Sequence, residues 1–239
     1  MKSGIALLAS CMCALAQAGE ALTTLHKATL TTLFPPGEAA ELAKTLPADR
    51  EVVFRVHLPP EGTADGVLVF VSPTDSGALP EGWAPVLDSK RLLWIAADGY
   101  GNSRLSAQRV LVALMALKLA LHLEPATGPR VYVAGFSGGG RIASVCITRF
   151  PRHFAGALFI AGADFSMPED GDLASLVAAR RLVFLTGNRD FNQREMKRVH
   201  GQYRDAGVSN TLLMDERGFG HELASPAQLA TAIEFLDAR

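Results

Sequence analysis

The sequence predicts a single α/β domain, in which helices cover both faces of a mostly parallel sheet of about seven strands. The 239-residue chain is 49% hydrophobic, which is enough for one sizeable core. Short apolar runs rich in β-branched residues recur along it, and several are continuous, as expected for strands buried on both faces. Segments with helical periodicity lie between the later runs, and this alternation is typical of parallel sheets.

Residues 1–18 have the features of a secretory signal peptide. A lysine precedes an apolar run over residues 5–15, and the small residues 16–18 resemble a cleavage site. The apolar run is too short for a membrane span with ordinary flanks. Residues 8–11 also resemble a lipoprotein signal, in which Cys11 would carry a lipid anchor. We therefore expect export to the periplasm or the exterior, with a membrane-anchored lipoprotein or a packed N-terminal helix as alternatives.

Charge and cysteine usage limit the partners that the chain can have. The formal net charge is -1 and no basic stripe is present, which argues against nucleic-acid binding. If the leader is removed after Ala18, the remaining cysteine is Cys146, so an intrachain disulfide is impossible and the fold must depend on its core. Cys146 is expected to be a buried, small apolar residue rather than a nucleophile.

Residues 19–48 are expected to form an irregular lead-in with one short helix near residues 38–46, and residues 49–239 are expected to form the domain. The first strand of the domain alternates in part and ends at two prolines, which is typical of an outer strand. Arg109 and Lys118 interrupt the longest helical pattern, which favours a core helix over a membrane span. The expected strands cover residues 52–58, 67–71, 92–96, 131–134, 157–161, 182–186 and 211–215. The expected helices cover residues 103–123, capped by Asn102 or Ser103, 192–206 and 226–238, and a further helix follows Ser137.

A glycine-flanked serine stands where a strand is expected to turn into a helix. The strand is followed by Gly135-Phe136-Ser137-Gly138-Gly139 and then by a helical pattern. This order is typical of a nucleophile elbow, in which small residues allow a sharp turn that exposes the serine hydroxyl. A phosphate-binding glycine loop is the alternative, but the lysine and the Ser or Thr of that motif are missing.

Two further polar residues are expected at the same edge of the sheet. Ser137, Asp190 and His221 each follow a different expected strand, and parallel sheets bind ligands beyond the carboxyl ends of their strands. A serine hydroxyl needs a base to take its proton, and that base needs a carboxylate to orient it. The remaining histidines have no second ligand at metal-binding spacing, so no metal site is expected.

Three motifs carry a resemblance to a known family: Gly135-Phe136-Ser137-Gly138-Gly139, Gly187-Asn188-Arg189-Asp190 and Gly218-Phe219-Gly220-His221-Glu222. With these motifs, residues 51–239 resemble the α/β-hydrolase superfamily. The resemblance is to small secreted or periplasmic esterases similar to polyhydroxybutyrate depolymerases, feruloyl esterases and phospholipase/carboxylesterases. It implies Ser137 as the nucleophile, His221 as the general base and Asp190 as the carboxylate, without a metal or an organic cofactor. Asp164, which follows the preceding strand, is the alternative carboxylate.

The resemblance also implies an oxyanion hole with two backbone donors. One donor is the N–H of Gly138, the residue after the nucleophile. The other comes from the loop after residues 67–71, where many relatives have a His-Gly pair and this chain has Ser72-Pro73-Thr74. Because proline has no N–H to donate, Thr74 is the candidate.

Together these residues imply a serine carboxylesterase that acts through an acyl-enzyme intermediate on a small-molecule or polymeric ester. The short connection over residues 164–180 predicts an open cleft without a large lid. A serine peptidase of the prolyl-oligopeptidase type, which shares the order of the three residues, is one alternative. A catalytically inert binding protein is the other, and the altered loop over residues 72–74 favours it.

Overall fold

The computed structural model describes residues 23–60, 64–125 and 128–238. The expected signal peptide, and Cys11 with its alternative lipid anchor, lie outside the described residues. Export and anchoring therefore stay predictions.

In the described part of the chain, eight strands form one sheet in the order β1-β2-β4-β3-β5-β6-β7-β8. The six strands from β3 to β8 are parallel, whereas β2 is antiparallel to both of its neighbours, β1 and β4. The strands are β1 (Thr24–Ala28), β2 (Val52–His57), β3 (Gly66–Val71), β4 (Leu92–Ala97), β5 (Arg130–Phe136), β6 (Gly156–Ile160), β7 (Arg181–Gly187) and β8 (Thr211–Glu216). The predicted α/β class with a mostly parallel sheet is confirmed.

Helices cover both faces of this sheet. The helices are α1 (Leu30–Leu33), α2 (Pro36–Leu42), α3 (Trp83–Ser89), α4 (Ser106–Leu123), α5 (Gly138–Arg149), α6 (Asp170–Ala179), α7 (Gln193–Asp205) and α8 (Pro226–Asp237). Side chains of α3 and α8 form one core with alternate residues of the strands, and the other six helices contribute to a second core on the opposite face. In β3, for example, Val67 and Val69 point into one core and Leu68 and Phe70 into the other. This two-sided burial explains why the parallel strands are continuous apolar runs.

The lead-in contributes an edge strand that the sequence does not reveal. β1 pairs with β2 over residues 24–28, so β2 is not the outer strand that its partial alternation suggests. A strand next to the edge and an edge strand can both keep one half-buried face, and the sequence pattern is the same for both. Within the described residues the sheet therefore has eight strands, one more than the seven expected.

Three helices of the described residues are also absent from the sequence prediction, and α1 is a single turn of four residues. α3 has a proline in its first turn and only seven residues, while α6 occupies the connection over residues 164–180 and contains Gly171. Such short segments contain too few residues to show helical periodicity, so the sequence pattern does not predict them. The expected short helix near residues 38–46 is α2, which begins at Pro36 and ends at Leu42.

The long helix α4 begins later than expected. Its N-cap is Leu105, which makes no side-chain cap, whereas the sequence places the cap at Asn102 or Ser103. Asn102 Oδ1 instead accepts a hydrogen bond from Arg109 Nη1 at 3.0 Å. Among the described residues, α4 is the one helix long and apolar enough to cross a bilayer, and half of it is buried inside the domain. That burial makes it a weak candidate for a membrane span.

Candidate functional site

The turn between β5 and α5 holds Ser137 in a strained backbone conformation. Its φ and ψ are 53° and -121°, and a non-glycine residue adopts a positive φ only where the surroundings impose it. The Ser137 N–H donates to the carbonyl of Ile160 at 2.8 Å, and its own carbonyl accepts from Gly140 N–H at 3.0 Å. These bonds fix a sharp strand-to-helix turn, as expected for a nucleophile elbow.

Neighbouring backbone segments approach this turn so closely that two of its positions have room only for glycine. A Cβ on Gly139 would overlap the backbone of Val71, and a Cβ on Gly135 would overlap the backbone of Gly139. Any larger residue at these two positions would push α5 away from β3 and β5. The elbow therefore depends on the spacing of its glycines and not only on its serine.

The structure brings Ser137, His221 and Asp190 into one hydrogen-bonded chain. His221 Nε2 lies 2.9 Å from Ser137 Oγ, and His221 Nδ1 lies 2.9 Å from Asp190 Oδ1. An ionised carboxylate can only accept, so Nδ1 carries a proton and donates it to Asp190. In the neutral imidazole Nε2 is then the acceptor for the Ser137 hydroxyl, which is the tautomer that a general base needs.

Asp190 is buried, yet its carboxylate has several donors. The side chain has no exposed surface, Thr186 Oγ1 donates to Oδ2 at 2.8 Å, and the Asn192 N–H donates to Oδ1 at 3.0 Å. A buried carboxylate is tolerated only when such bonds replace its hydration. The bonds also fix the oxygen that faces His221.

Asp164, the alternative carboxylate, is placed differently. Its side chain is exposed, and Oδ1 accepts from the N–H of the next residue, Phe165, at 2.8 Å. The carboxylate that reaches His221 in the structure is that of Asp190.

The loops that carry Asp190 and His221 hold each other in place. Asn188 Oδ1 accepts from the Gly218 N–H at 2.7 Å, and the Arg189 N–H donates to the Phe219 carbonyl at 3.1 Å. At the far end of the second loop, Trp83 Nε1 donates to the Ala224 carbonyl at 2.8 Å. The connection between Asp190 and His221, which are 31 positions apart, is thus closed into a defined geometry.

An ion pair joins the helices that follow Ser137 and Asp190. Arg141 Nη1 in α5 donates to Glu195 Oε1 in α7 at 2.7 Å. The hydrogen bond from Arg141 lowers the pKa of Glu195, and the same bond raises the pKa of Arg141. Both side chains are about one-third exposed, so the pair links the two helices but contributes little to stability.

The predicted oxyanion donors lie in two packed segments. Gly138 is the first residue of α5, and the N–H groups of a first helical turn have no acceptor within the helix. The Thr74 N–H donates to Ser72 Oγ at 3.1 Å, and the two hydroxyl oxygens of Ser72 and Thr74 are also 3.1 Å apart. The assignment of Thr74 as second donor stays a prediction.

Arg109 connects these segments, and the sequence offers no signal for that role beyond a charge inside an apolar helix. It is buried, with 5% exposure, and its guanidinium donates to four acceptors. They are the carbonyls of Tyr100 (3.1 Å), Ser72 (2.9 Å) and Gly138 (3.3 Å), and Asn102 Oδ1 (3.0 Å). Burial lowers the pKa of Arg109, but a guanidinium stays charged in proteins. One side chain therefore ties the elbow to the loops that follow β3 and β4.

Two aromatic rings lie against the imidazole of His221. The ring of Phe191 is stacked on it with centroids 3.9 Å apart and an interplanar angle of 27°. Phe136 is tilted against it at 5.1 Å. Phe191 is 77% exposed, so the ring covers the imidazole while most of its own surface faces solvent.

The other nucleophilic or metal-binding side chains are separate from this site. Cys146 is buried, and burial raises its pKa to about 12, so it is a thiol and not a thiolate at neutral pH. His57 Nε2 lies 2.7 Å from Asp88 Oδ1, and His200 Nε2 lies 2.9 Å from Thr211 Oγ1. Across residues 23–60, 64–125 and 128–238, no group of three or more His, Cys, Asp or Glu side chains could hold a metal ion.

No family model and no curated protein sequence matches the chain. Solved structures do resemble it. An ester hydrolase from the metagenome of Lake Arreo is 12% identical with a TM-score of 0.61, over 92% of this chain and 84% of its own. S-formylglutathione hydrolase FrmB from Staphylococcus aureus is 12% identical with a TM-score of 0.60, over 94% of this chain and 100% of its own. Acylaminoacyl peptidase from Pyrococcus horikoshii is 15% identical with a TM-score of 0.57, over 79% of this chain and 38% of its own.

At such low sequence identity, similarity to these solved structures shows the fold alone. The strand topology of this chain agrees with that fold. This chain spans well under half of the acylaminoacyl peptidase, and it spans all of the formylglutathione hydrolase. The strand order, the antiparallel second strand and the serine turn after β5 are all in place. The chain has the α/β-hydrolase fold.

Proposed function

We propose that the protein is a serine hydrolase that cleaves carboxylic esters through an acyl-enzyme intermediate. The observation that carries the proposal is the hydrogen-bonded chain from Ser137 through His221 to Asp190 at the carboxyl ends of parallel strands. Ser137 is the proposed nucleophile, His221 the general base and Asp190 the carboxylate that orients it. The solved structure of an ester hydrolase with this fold supports an ester as the substrate.

In the first half of the reaction, Ser137 Oγ attacks the carbonyl carbon of the ester while its proton passes to His221 Nε2. The carbonyl oxygen becomes an oxyanion, and the backbone N–H groups of Gly138 and Thr74 are the proposed donors to it. The bond from the carbonyl carbon to the alcohol oxygen then breaks, and the departing oxygen takes the proton from Nε2. The products are an alcohol and an acyl group bonded to Ser137.

In the second half, water takes the place of the alcohol. His221 Nε2 accepts a proton from the water as its oxygen attacks the acyl carbon, and returns that proton to Ser137 Oγ as the acid leaves. Asp190 accepts from Nδ1 throughout and stabilises the positive imidazolium that forms in each half.

The proposed role of Thr74 requires an exchange of partners. Its N–H donates to Ser72 Oγ in the structure, so that bond must give way to the substrate oxyanion. The Ser72 hydroxyl is an uncharged acceptor, whereas the oxyanion carries a full charge and binds an N–H more strongly. The exchange therefore favours the transition state over the free enzyme.

Labelling with a fluorophosphonate probe tests whether the protein is a serine hydrolase. We expect the wild type to be labelled and Ser137→Ala to lose the label completely. Ser89→Ala, which removes an exposed serine hydroxyl from the end of α3, is the matched control and should be labelled like the wild type. A wild type that the probe does not label would contradict the proposal and favour an inert binding protein.

Substrate panels then separate the two enzymatic possibilities. The fold is also that of acylaminoacyl peptidase, so peptidase activity is the competing proposal. Turnover of short p-nitrophenyl esters without turnover of blocked peptides supports the esterase. The reverse result assigns the site to a peptidase.

We also propose that the protein is exported, on the strength of its first 18 residues. N-terminal sequencing of the mature protein from a producing cell tests this. A mature chain that begins after Ala18 supports cleavage of a signal peptide, and one that begins at an acylated Cys11 assigns a lipoprotein.

A further inference from the structure

The exposed apolar side chains of the described residues are concentrated at the edge of the sheet that carries the candidate site. Six large apolar side chains are exposed within the described ranges, and four of them lie in loops that follow the carboxyl ends of strands. They are Leu105, Met167, Phe191 and Leu223, after β4, β6, β7 and β8 in turn. Single exposed apolar residues are ordinary, but a set concentrated at one edge of a sheet indicates a binding surface.

Phe191 differs from the others because it contacts His221 directly. The centroids of the two rings are 3.9 Å apart, and Phe191 is nevertheless 77% exposed. One face of the phenyl ring is therefore on the imidazole, and the opposite face is available to a ligand. Leu223 is two residues after His221 and is 38% exposed, so a second apolar side chain lies on the loop that carries the imidazole.

The chemistry of the reaction decides which part of an ester meets this surface. His221 Nε2 gives its proton to the departing alcohol oxygen, so the alcohol part must lie beside the imidazole. The oxyanion lies instead at the N-terminus of α5, next to the loop over residues 72–74, which is the other side of the scissile carbonyl. The alcohol part is thus the part of the ester nearest to the imidazole on which Phe191 is stacked.

We propose that Phe191, with Leu223, forms the binding surface for the alcohol part of the substrate, and that the preferred substrates are esters of aromatic alcohols. This rests on the proposed esterase function. An aromatic group can stack on the free face of Phe191, which contributes more than its apolar area alone. The ring is already stacked on the imidazole, at an interplanar angle of 27°, so less ordering is needed on binding.

Three acetates of unactivated primary alcohols test the proposal: benzyl, cyclohexylmethyl and n-butyl acetate. Their leaving groups are of similar basicity, so differences in kcat/KM report on binding rather than on intrinsic reactivity. We expect the wild type to prefer benzyl over n-butyl acetate, and Phe191→Ala to reduce that ratio about three- to tenfold. Phe191→Leu keeps an apolar side chain and should retain the preference for cyclohexylmethyl over n-butyl acetate while losing most of the preference for benzyl acetate.

A purely structural role for Phe191 gives a different result. If the ring only holds His221, Phe191→Ala lowers kcat/KM for all three acetates by the same factor and leaves their ratios unchanged, which overturns the proposal. The ratio of benzyl butyrate to benzyl acetate, which varies the acyl part, should not change in either variant. Leu25→Ala removes an exposed apolar residue from the edge strand β1 and is the matched control, with all ratios as in the wild type.

The two proposals fail in distinguishable ways. A wild type that is neither labelled by the fluorophosphonate probe nor active on any acetate overturns the esterase and this inference together. A labelled, active wild type whose alcohol preference is unaffected by Phe191→Ala overturns the inference alone. Since Phe191 is largely exposed, its replacement should leave the fold intact.

Discussion

Replacement of Arg109 by methionine tests whether one buried guanidinium holds the walls of the candidate site together. Methionine keeps an unbranched side chain in α4 but cannot donate a hydrogen bond. The change removes the donor from four acceptors: the carbonyls of Tyr100, Ser72 and Gly138, and Asn102 Oδ1. These acceptors belong to three separate segments, so the variant loses a link between them as well as a set of hydrogen bonds.

The expected cost follows from the loss of these four hydrogen bonds, which are part-buried. A hydrogen bond contributes about 0.5–1.5 kcal/mol net to stability, which for four bonds gives a gross loss of about 2–6 kcal/mol. Part of this is offset, because the folded state no longer has to desolvate a charge, a cost that appears as the lowered pKa of Arg109. We expect a net decrease of about 3 kcal/mol in the free energy of unfolding. A domain of ordinary stability remains folded after such a loss.

Urea denaturation of Arg109→Met and of Arg104→Ala provides the measurement. Arg104 is exposed and donates to the Gly99 carbonyl at 2.9 Å, so its loss should cost less than about 1 kcal/mol. At a temperature where both variants are folded, Arg109→Met should also lower kcat/KM for an ester at least about tenfold, because the proposed oxyanion donors lose their common anchor.

Two outcomes would refute this reasoning. If Arg109→Met changes the free energy of unfolding no more than Arg104→Ala does, then the four hydrogen bonds do not stabilise the fold. If stability falls as expected but kcat/KM for the folded variant equals that of the wild type, then Arg109 supports the fold and not the site.

Two further changes test the remaining parts of the site. Asp190→Asn should lower kcat by a factor of about 10³–10⁴, because an amide can stabilise the wrong imidazole tautomer. Asp164→Asn should lower kcat less than about threefold. The opposite ranking of the two variants in steady-state assays would assign the catalytic carboxylate to Asp164. Gly139→Ala should prevent stable folding or abolish turnover, because its Cβ would overlap the Val71 backbone, and circular dichroism with an esterase assay checks this. Gly201→Ala, in the open surface of α7, is the control and should be neutral or stabilising by up to about 1 kcal/mol. Equal behaviour of the two glycine variants would contradict the packing argument.

The sequence predicts the strands well because their signal is local. Each strand from β2 to β8 lies within two residues of its expected bounds, and all of them carry a run of apolar or β-branched residues. The signal fails where an element is short or unusual. β1 reads Thr-Leu-His-Lys-Ala, with three of its five residues exposed, and nothing in its composition separates it from a loop.

The position of Ser137 was predicted from its glycines and the adjoining strand, and the structure shows why both are needed. Ser137 has a positive φ, and Gly135 and Gly139 on either side of it lie against neighbouring backbone. Such a turn leaves a signature of small residues at constant spacing, which a sequence can display. Phe191 and Arg109 leave no comparable signature, since an aromatic after an aspartate and an arginine in a helix are common.

The sequence by itself determined the strands β2 to β8, the strand ends at which Ser137, Asp190 and His221 stand, and the glycine spacing of the elbow. All of these depend on residues that are near one another along the chain. Only the tertiary structure decided that Asp190 and not Asp164 reaches His221, and that His221 lies 2.9 Å from a serine 84 positions earlier. Such long-range contacts depend on the conformations of the loops at the edge of the sheet. The free energy of closing those loops cannot be read from a local sequence pattern.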